Sequence, residues 1–131
     1  MSDPTVALQQ AMTDRLRAIL GEEIGVYDFV SEAATLPYAT VGVISAVPID
    51  EMCWDRSEVS VQIDLWDDEQ TSRKVKERAA VVRDAFHEFD GLVVTGFAVD
   101  RMRVDGVFLS REAQTLLNRA RIVVAVEAQP N

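Results

Sequence analysis

The chain has 131 residues, 22 acidic and 13 basic, a net charge of −9, one Cys and one His. That length suits one domain with one core, and 48% apolar with 27% charged residues excludes collagen-like and disordered classes. A lone Cys53 cannot close an internal disulfide, and so few Cys and His exclude a zinc finger or iron–sulfur cluster.

Residues 4 to about 20 read as a helix. Asp3 or Ser2 is its expected N-cap, Pro4 suits the first helical position, and Leu8, Met12, Leu16 and Leu20 form one apolar stripe. Gly21 stands at its C-terminal cap. Residues 24–29 predict a short strand, 31–36 a loop and 38–47 a second strand, with Gly42 marking a bulge or a close backbone approach and Pro48 as its end. Residues 49–56 read as a loop. In 57–66 Val59, Val61, Ile63 and Leu65 alternate with mostly polar residues, which predicts an antiparallel strand with one solvated face.

A long helix is expected from about 71 to 89, with Val75, Ala79, Val82, Phe86 and Phe89 on one face. Residues 92–104 are strand-like, with Gly96 as a bulge. Asp105-Gly106 signals a turn. A looser stretch, 107–114, precedes a last strand over 115–127 and a frayed tail, 129–131. The order α-β-β-β-α-β-β implies one α+β domain over residues 1–131. Its twisted sheet has about four to five mostly antiparallel strands, with two amphipathic helices on one face.

No constellation for catalysis, cofactor or metal emerges. His87 lacks a second His at metal-ligand spacing and reads as a helix C-terminal His. Cys53 has no base placed beside it and reads as an inert thiol. Asp64, Asp67, Asp68 and Glu69 lack the pattern of a calcium loop and read as helix N-terminal carboxylates, Asp67 and Gln70 having capping-box spacing. No phosphate loop or nucleophile elbow is present. An acidic chain disfavours nucleic-acid binding. No apolar run approaches the about 18–20 residues that span a bilayer, so no membrane contact is expected. The opening Met-Ser-Asp-Pro has no signal-peptide character, so synthesis in the cytoplasm is expected.

Two segments carry large apolar residues among charged neighbours. Ile49, Met52 and Trp54 form one; Val107, Phe108 and Leu109 form the other. Such tips suit a partner interface, or fold back on the core. Arg101, Arg103 and Arg111 near the second segment could meet acidic patches of another copy.

Val26-Tyr27-Asp28, Leu36-Pro37-Tyr38 and Val41-Gly42, the strand ending Asp64-Leu65-Trp66 before a long helix, and Asp105-Gly106 leading to a strand ending at Glu127 follow in order over about residues 5–127. Together they resemble phage tail-completion proteins, or tail terminators, of long non-contractile tails, found also in gene transfer agents. Ser31 and Asp67 depart from the family's usual Pro and Ser. The resemblance implies a structural, non-enzymatic ring, typically a hexamer, on the head-proximal end of the tail tube. Such a ring stops tube polymerisation and joins tail to head. The implied partners are further copies of the chain, the tube protein, a head-completion or connector protein, and DNA passing through the lumen without specific binding. The implied location is the tail–neck junction of an assembled particle. An acidic lumen would let DNA slide. The competing readings are a head–tail connector ring, a small-ligand-binding α+β domain and a carboxylate-based enzyme.

Overall fold

The computed structural model describes residues 3–28, 34–51 and 54–131. Helix α1 (Thr5–Leu20) is followed by strands β1 (Gly25–Tyr27), β2 (Tyr38–Glu51) and β3 (Trp54–Asp67), helix α2 (Arg73–Phe86), and strands β4 (Phe97–Arg111) and β5 (Asn118–Pro130). The sheet order is β1-β2-β3-β5-β4, with β1 parallel to β2 and every other pair antiparallel. The α+β class, the element order and the mostly antiparallel sheet are those read from the sequence.

Both helices cover the same face. Leu8, Met12 and Leu16 of α1 and Val75, Ala79, Val82 and Phe86 of α2 are buried against the sheet. The sheet answers with Ala39 and Val41, then Val59, Val61, Ile63 and Leu65, then Ala120, Ile122, Val124 and Val126. Each of the Val, Leu, Ile, Met and Phe side chains among these, fully buried, stabilises the fold by about 1.5–3 kcal/mol relative to exposure. At α1's start the Thr5 amide donates to Asp3 Oδ1 at 2.9 Å. Gly21, at φ 76, ends the helix in the left-handed region.

Several expectations are corrected. First, residues 49–56 are no loop: β2 and β3 stay paired out to Glu51 and Trp54. Pro48 fits within the strand because its missing N–H falls on the sheet's open side. The Val43 amide points away from β3 to Gln9, and along unbroken β3 that parity recurs at Ala46 and Pro48. Second, the bulge of β2 lies at Ile44, between Val43 and Ser45, and not at Gly42.

Third, Asp105-Gly106 is not a turn. Val104 faces Val124 and Gly106 faces Val123, so Asp105 is the extra residue of a bulge. A second bulge leaves out Asp100. The reversal into β5 is made by 112–117. There Leu116 stands at φ 57, its amide bonded to the Glu112 carbonyl, and the Glu112 amide donates to Leu117. Fourth, Gly96 is not a strand bulge but turns the chain at φ 84 beside the Val94–Phe97 bridge. The expected frayed tail is paired as well, Pro130 with Phe97, and the Asn131 amide donates to the Gly96 carbonyl.

Fifth, α2 begins at Arg73 and the Asp67–Gln70 capping box does not form, because Ser72 holds the N-cap position. Asp67 turns inward instead. Its Oδ1 accepts from Asn118 Nδ2 at 2.7 Å and from the Glu69 amide at 3.2 Å, and Oδ2 pairs with Arg78 at 3.4 Å. Asn118 Nδ2 also reaches the carbonyls of Glu69 and Thr71, both at 3.0 Å. This buried knot ties the ends of β3 and β5 to the lead-in of α2.

Candidate assembly surface

Strand alternation divides the sheet residues between a helix-covered face and a helix-free face. The second face is built from alternate residues of four strands and is covered with charge. Arg56 pairs with Asp100 at 3.2 Å and Glu127 at 3.3 Å, Arg103 with Asp105 at 3.0 Å and Glu58 at 3.6 Å, and Arg119 with Asp64 at 2.9 Å. The two bulge aspartates, 100 and 105, thus each hold an arginine. Arg119 also lies over Trp66, 4.9 Å from the ring centroid. Cations and carboxylates on this face offset one another. The acidic excess lies elsewhere, at exposed Glu22, Glu23, Asp28, Asp68 and Asp90.

The apolar residues flagged in the sequence divide. Ile49 is half-buried near the end of the β2–β3 hairpin, opposite Arg56. Met52, Cys53 and the side chain of Trp54 lie outside the described residues. Val107 packs against the core, whereas Phe108 is 54% and Leu109 46% exposed. Phe108 projects from the helix-free face and folds back along its strand. A Cβ built on Gly106 would meet the ring at 2.8 Å, so Gly106 leaves room for it. Arg121, directly across, holds its guanidinium 5.6 Å from the ring centroid.

The three arginines stand on β4, Arg101 and Arg103 within the strand and Arg111 at its end. Arg101 donates from Nε and Nη2 to Glu88 at 3.2 and 2.9 Å. These hydrogen bonds hold Glu88 below the usual carboxylate range and raise Arg101 above the usual guanidinium value. Arg103 is engaged as above. Arg111 donates to the carbonyls of Glu69 and Gln70 at 3.2 and 3.3 Å and to Asn118 Oδ1 at 3.1 Å. Each therefore already has an acidic or carbonyl partner within its own chain. Among the exposed apolar residues that sequence reasoning did not single out are Ile44 and Val47 of β2, at 55% and 56%. Strand alternation alone gave no sign of them, because their exposure depends on which edge of the sheet is left uncovered.

The titratable candidates serve the fold. His87 ends α2, and its Nδ1 accepts the sheet-edge Val104 amide at 3.1 Å. Asp64 and Asp67 sit on opposite faces of β3 in separate networks. Among the described residues no group of three His, Cys, Asp or Glu is placed to hold a metal ion. Two shallow grooves flank the sheet. One, of 580 Å³, lies between α1 and Val43, and one, of 420 Å³, between the start of α2 and Leu109. No helix among the described residues is long and apolar enough to cross a membrane.

The arrangement offers exposed apolar residues at two edges of a charged sheet. Known proteins show the same fold. A chain from the solved virion of a native gene transfer agent particle superposes with a TM-score of 0.81 at 21% identity, over 95% of this chain and 96% of its own. A second solved chain, 13% identical, superposes at 0.54 over 96% of this chain and 92% of its own. No curated protein matches. The model of the tail completion protein gp17 family matches residues 6–128. The chain belongs to that family, whose members are structural proteins of phage-type tails.

Proposed function

We propose that the protein is a tail terminator: a ring on the head-proximal end of a tail tube that stops tube polymerisation and offers a surface to head-completion proteins. The observation that carries this reading is the family match over nearly the whole chain. The gene-transfer-agent likeness in fold supports it. So does the exposure of Val47 and Phe108 at opposite edges of one sheet, since a ring needs two different contact surfaces on each copy. The ring is read as a hexamer, set between tube protein and connector, with DNA passing through its lumen unbound. This role requires no reaction chemistry.

The test is deletion of the gene in the producing strain, followed by negative-stain electron microscopy. Overlong or unattached tails beside DNA-filled heads are expected. Complete particles of normal tail length would overturn the reading.

A further inference from the structure

The sheet has two partly open edges. β4 is an outer strand, and β1 covers β2 only at 38–40. Each edge is guarded for half its length. On β2 the Val43 amide donates to Gln9 Oε1 at 3.2 Å. On β4 the Met102 carbonyl accepts the Glu88 amide at 2.9 Å, and the Val104 amide donates to His87 Nδ1 at 3.1 Å. A bulge follows each guard, at Ile44 and at Asp105. Past the bulges, no backbone partner outside the sheet covers residues 45–51 or 106–111 among the described residues. Since β3 and β5 run unbroken, the outward parity of Val43 recurs at Ala46 and Pro48, and that of Val104 at Val107 and Leu109. Residues 106–111 carry no Pro or Lys of the kind that blunts an edge.

We infer that residues 106–109 of β4 pair with residues 46–49 of β2 in a second copy, so that the sheet continues from copy to copy around the ring. This rests on the ring reading above. Direction favours it: β2 and β4 run oppositely in the sheet, so copies in one orientation meet as antiparallel strands. Side chains favour it as well. The parity admits a register with Ala46 opposite Leu109 and Pro48 opposite Val107. Val47 then lies beside Phe108 on the helix-free face. Pro48 removes one donor from the new ladder, while its carbonyl still accepts.

The geometry also closes. Val47 is level with Glu58 of β3, and Phe108, through Arg121, is level with Asp64. The junction therefore steps six residues along the strands, from 58 to 64. At about 3.3 Å per residue this is about 20 Å, for four strand spacings that total about 19 Å. The implied strand tilt is about 45°, at the upper end of the range of closed barrels. A junction of two different edges that closes by rotation makes a ring.

Val47 and Phe108 would form a non-hydrogen-bonded pair with Cα atoms about 4.5 Å apart, within reach of a disulfide. The experiment uses Val47→Cys with Phe108→Cys in a Cys53→Ser background, expressed in the deletion strain, with particles purified and oxidised. A ladder of covalent multimers that collapses on reduction is expected, with monomer only from either single cysteine. Dimers from Phe108→Cys alone would assign the edge to a symmetric β4–β4 contact and overturn the inference, as would monomer from the pair in particles of normal tail length. Leu109→Pro removes one outward amide, and its isolated form should keep the circular dichroism and melting temperature of the parent. It should reproduce the deletion phenotype. Full complementation by Leu109→Pro, where deletion itself gives aberrant tails, overturns edge pairing and leaves the ring reading standing. Normal tails in the deletion strain overturn both.

Discussion

Arg15 of α1 caps the end of α2: its Nε and Nη2 both donate to the Ala85 carbonyl, at 3.1 and 2.7 Å. Carbonyls in a helix's last turn lack intrahelical partners and carry partial negative charge, so a cation there is doubly favoured. The guanidinium also lies 3.4 Å from the Phe89 ring centroid. Partial burial lowers its pKa from the ordinary arginine value. Arg15→Ala removes the charged hydrogen bonds and the ring contact together. It should destabilise the fold by about 2–3 kcal/mol, read as a lower urea midpoint with an unchanged slope. Arg15→Lys keeps the charge without the planar fork and should fall between.

The knot at Asp67 and Asn118 should be less tolerant than any surface ion pair. Both residues are 1% exposed. Asn118→Ala withdraws the amide nitrogen from Asp67 and two carbonyls, leaving buried acceptors short of donors. A loss of about 2–4 kcal/mol is expected. Arg73→Ala, which breaks an exposed pair with Glu77 on the same helix, should cost under about 0.5 kcal/mol. Denaturant titration of the two variants side by side checks the contrast.

The Glu88–Arg101 pair should leave a pH signature. Glu88 is held below its ordinary value, first by the hydrogen bonds from Arg101. A carboxylate with a lowered folded pKa adds stability above its unfolded pKa, and that contribution disappears as pH falls through the folded value. Arg101→Gln should therefore be less stable than the parent at neutral pH. The gap should close once the carboxylate is protonated below the normal glutamate range. Parallel urea midpoints across that range measure it, and an unchanging gap would count against the pair.

His87 should behave as a positioning acceptor at the edge of β4. His87→Phe keeps an aromatic ring but leaves the Val104 amide without its partner, a cost of about 1–3 kcal/mol. Hydrogen exchange should show faster loss of the Val104 amide proton in this variant, and little change at Ile63 in the sheet centre.

How much of this was legible differs from element to element. The stripe Leu8, Met12 and Leu16 and the alternation Val59, Val61, Ile63 and Leu65 are buried as the patterns require, because periodicity reports the face an element turns to its core. Pro48 misled because a proline's meaning in a strand depends on which side of the strand is open, and that is decided by strand order. Asp105-Gly106 misled because turn residues also serve bulges. Asp67 looked like a helix cap because its true partner, Asn118, is 51 residues away. On the proposed surface, Phe108 and Leu109 were visible as large apolar residues among charges. Ile44 and Val47 were not, since nothing local marks the uncovered half of β2.

The central seam of the sheet has a kinetic consequence. β2–β3 and β4–β5 are hairpins of near neighbours, but β3 meets β5 only across α2 and β4, from Ser57 with Ala128 to Asp67 with Asn118. Closing that loop comes late in entropy terms, since long-range pairing gives nothing back until both strands are in place. Until then the most apolar strands of the molecule, with Val61, Ile63, Ile122 and Val124, stand as unpaired edges open to the wrong partner. Assembly into a particle thus begins with a race within each chain, between sealing its own seam and meeting another copy that has not yet sealed its own.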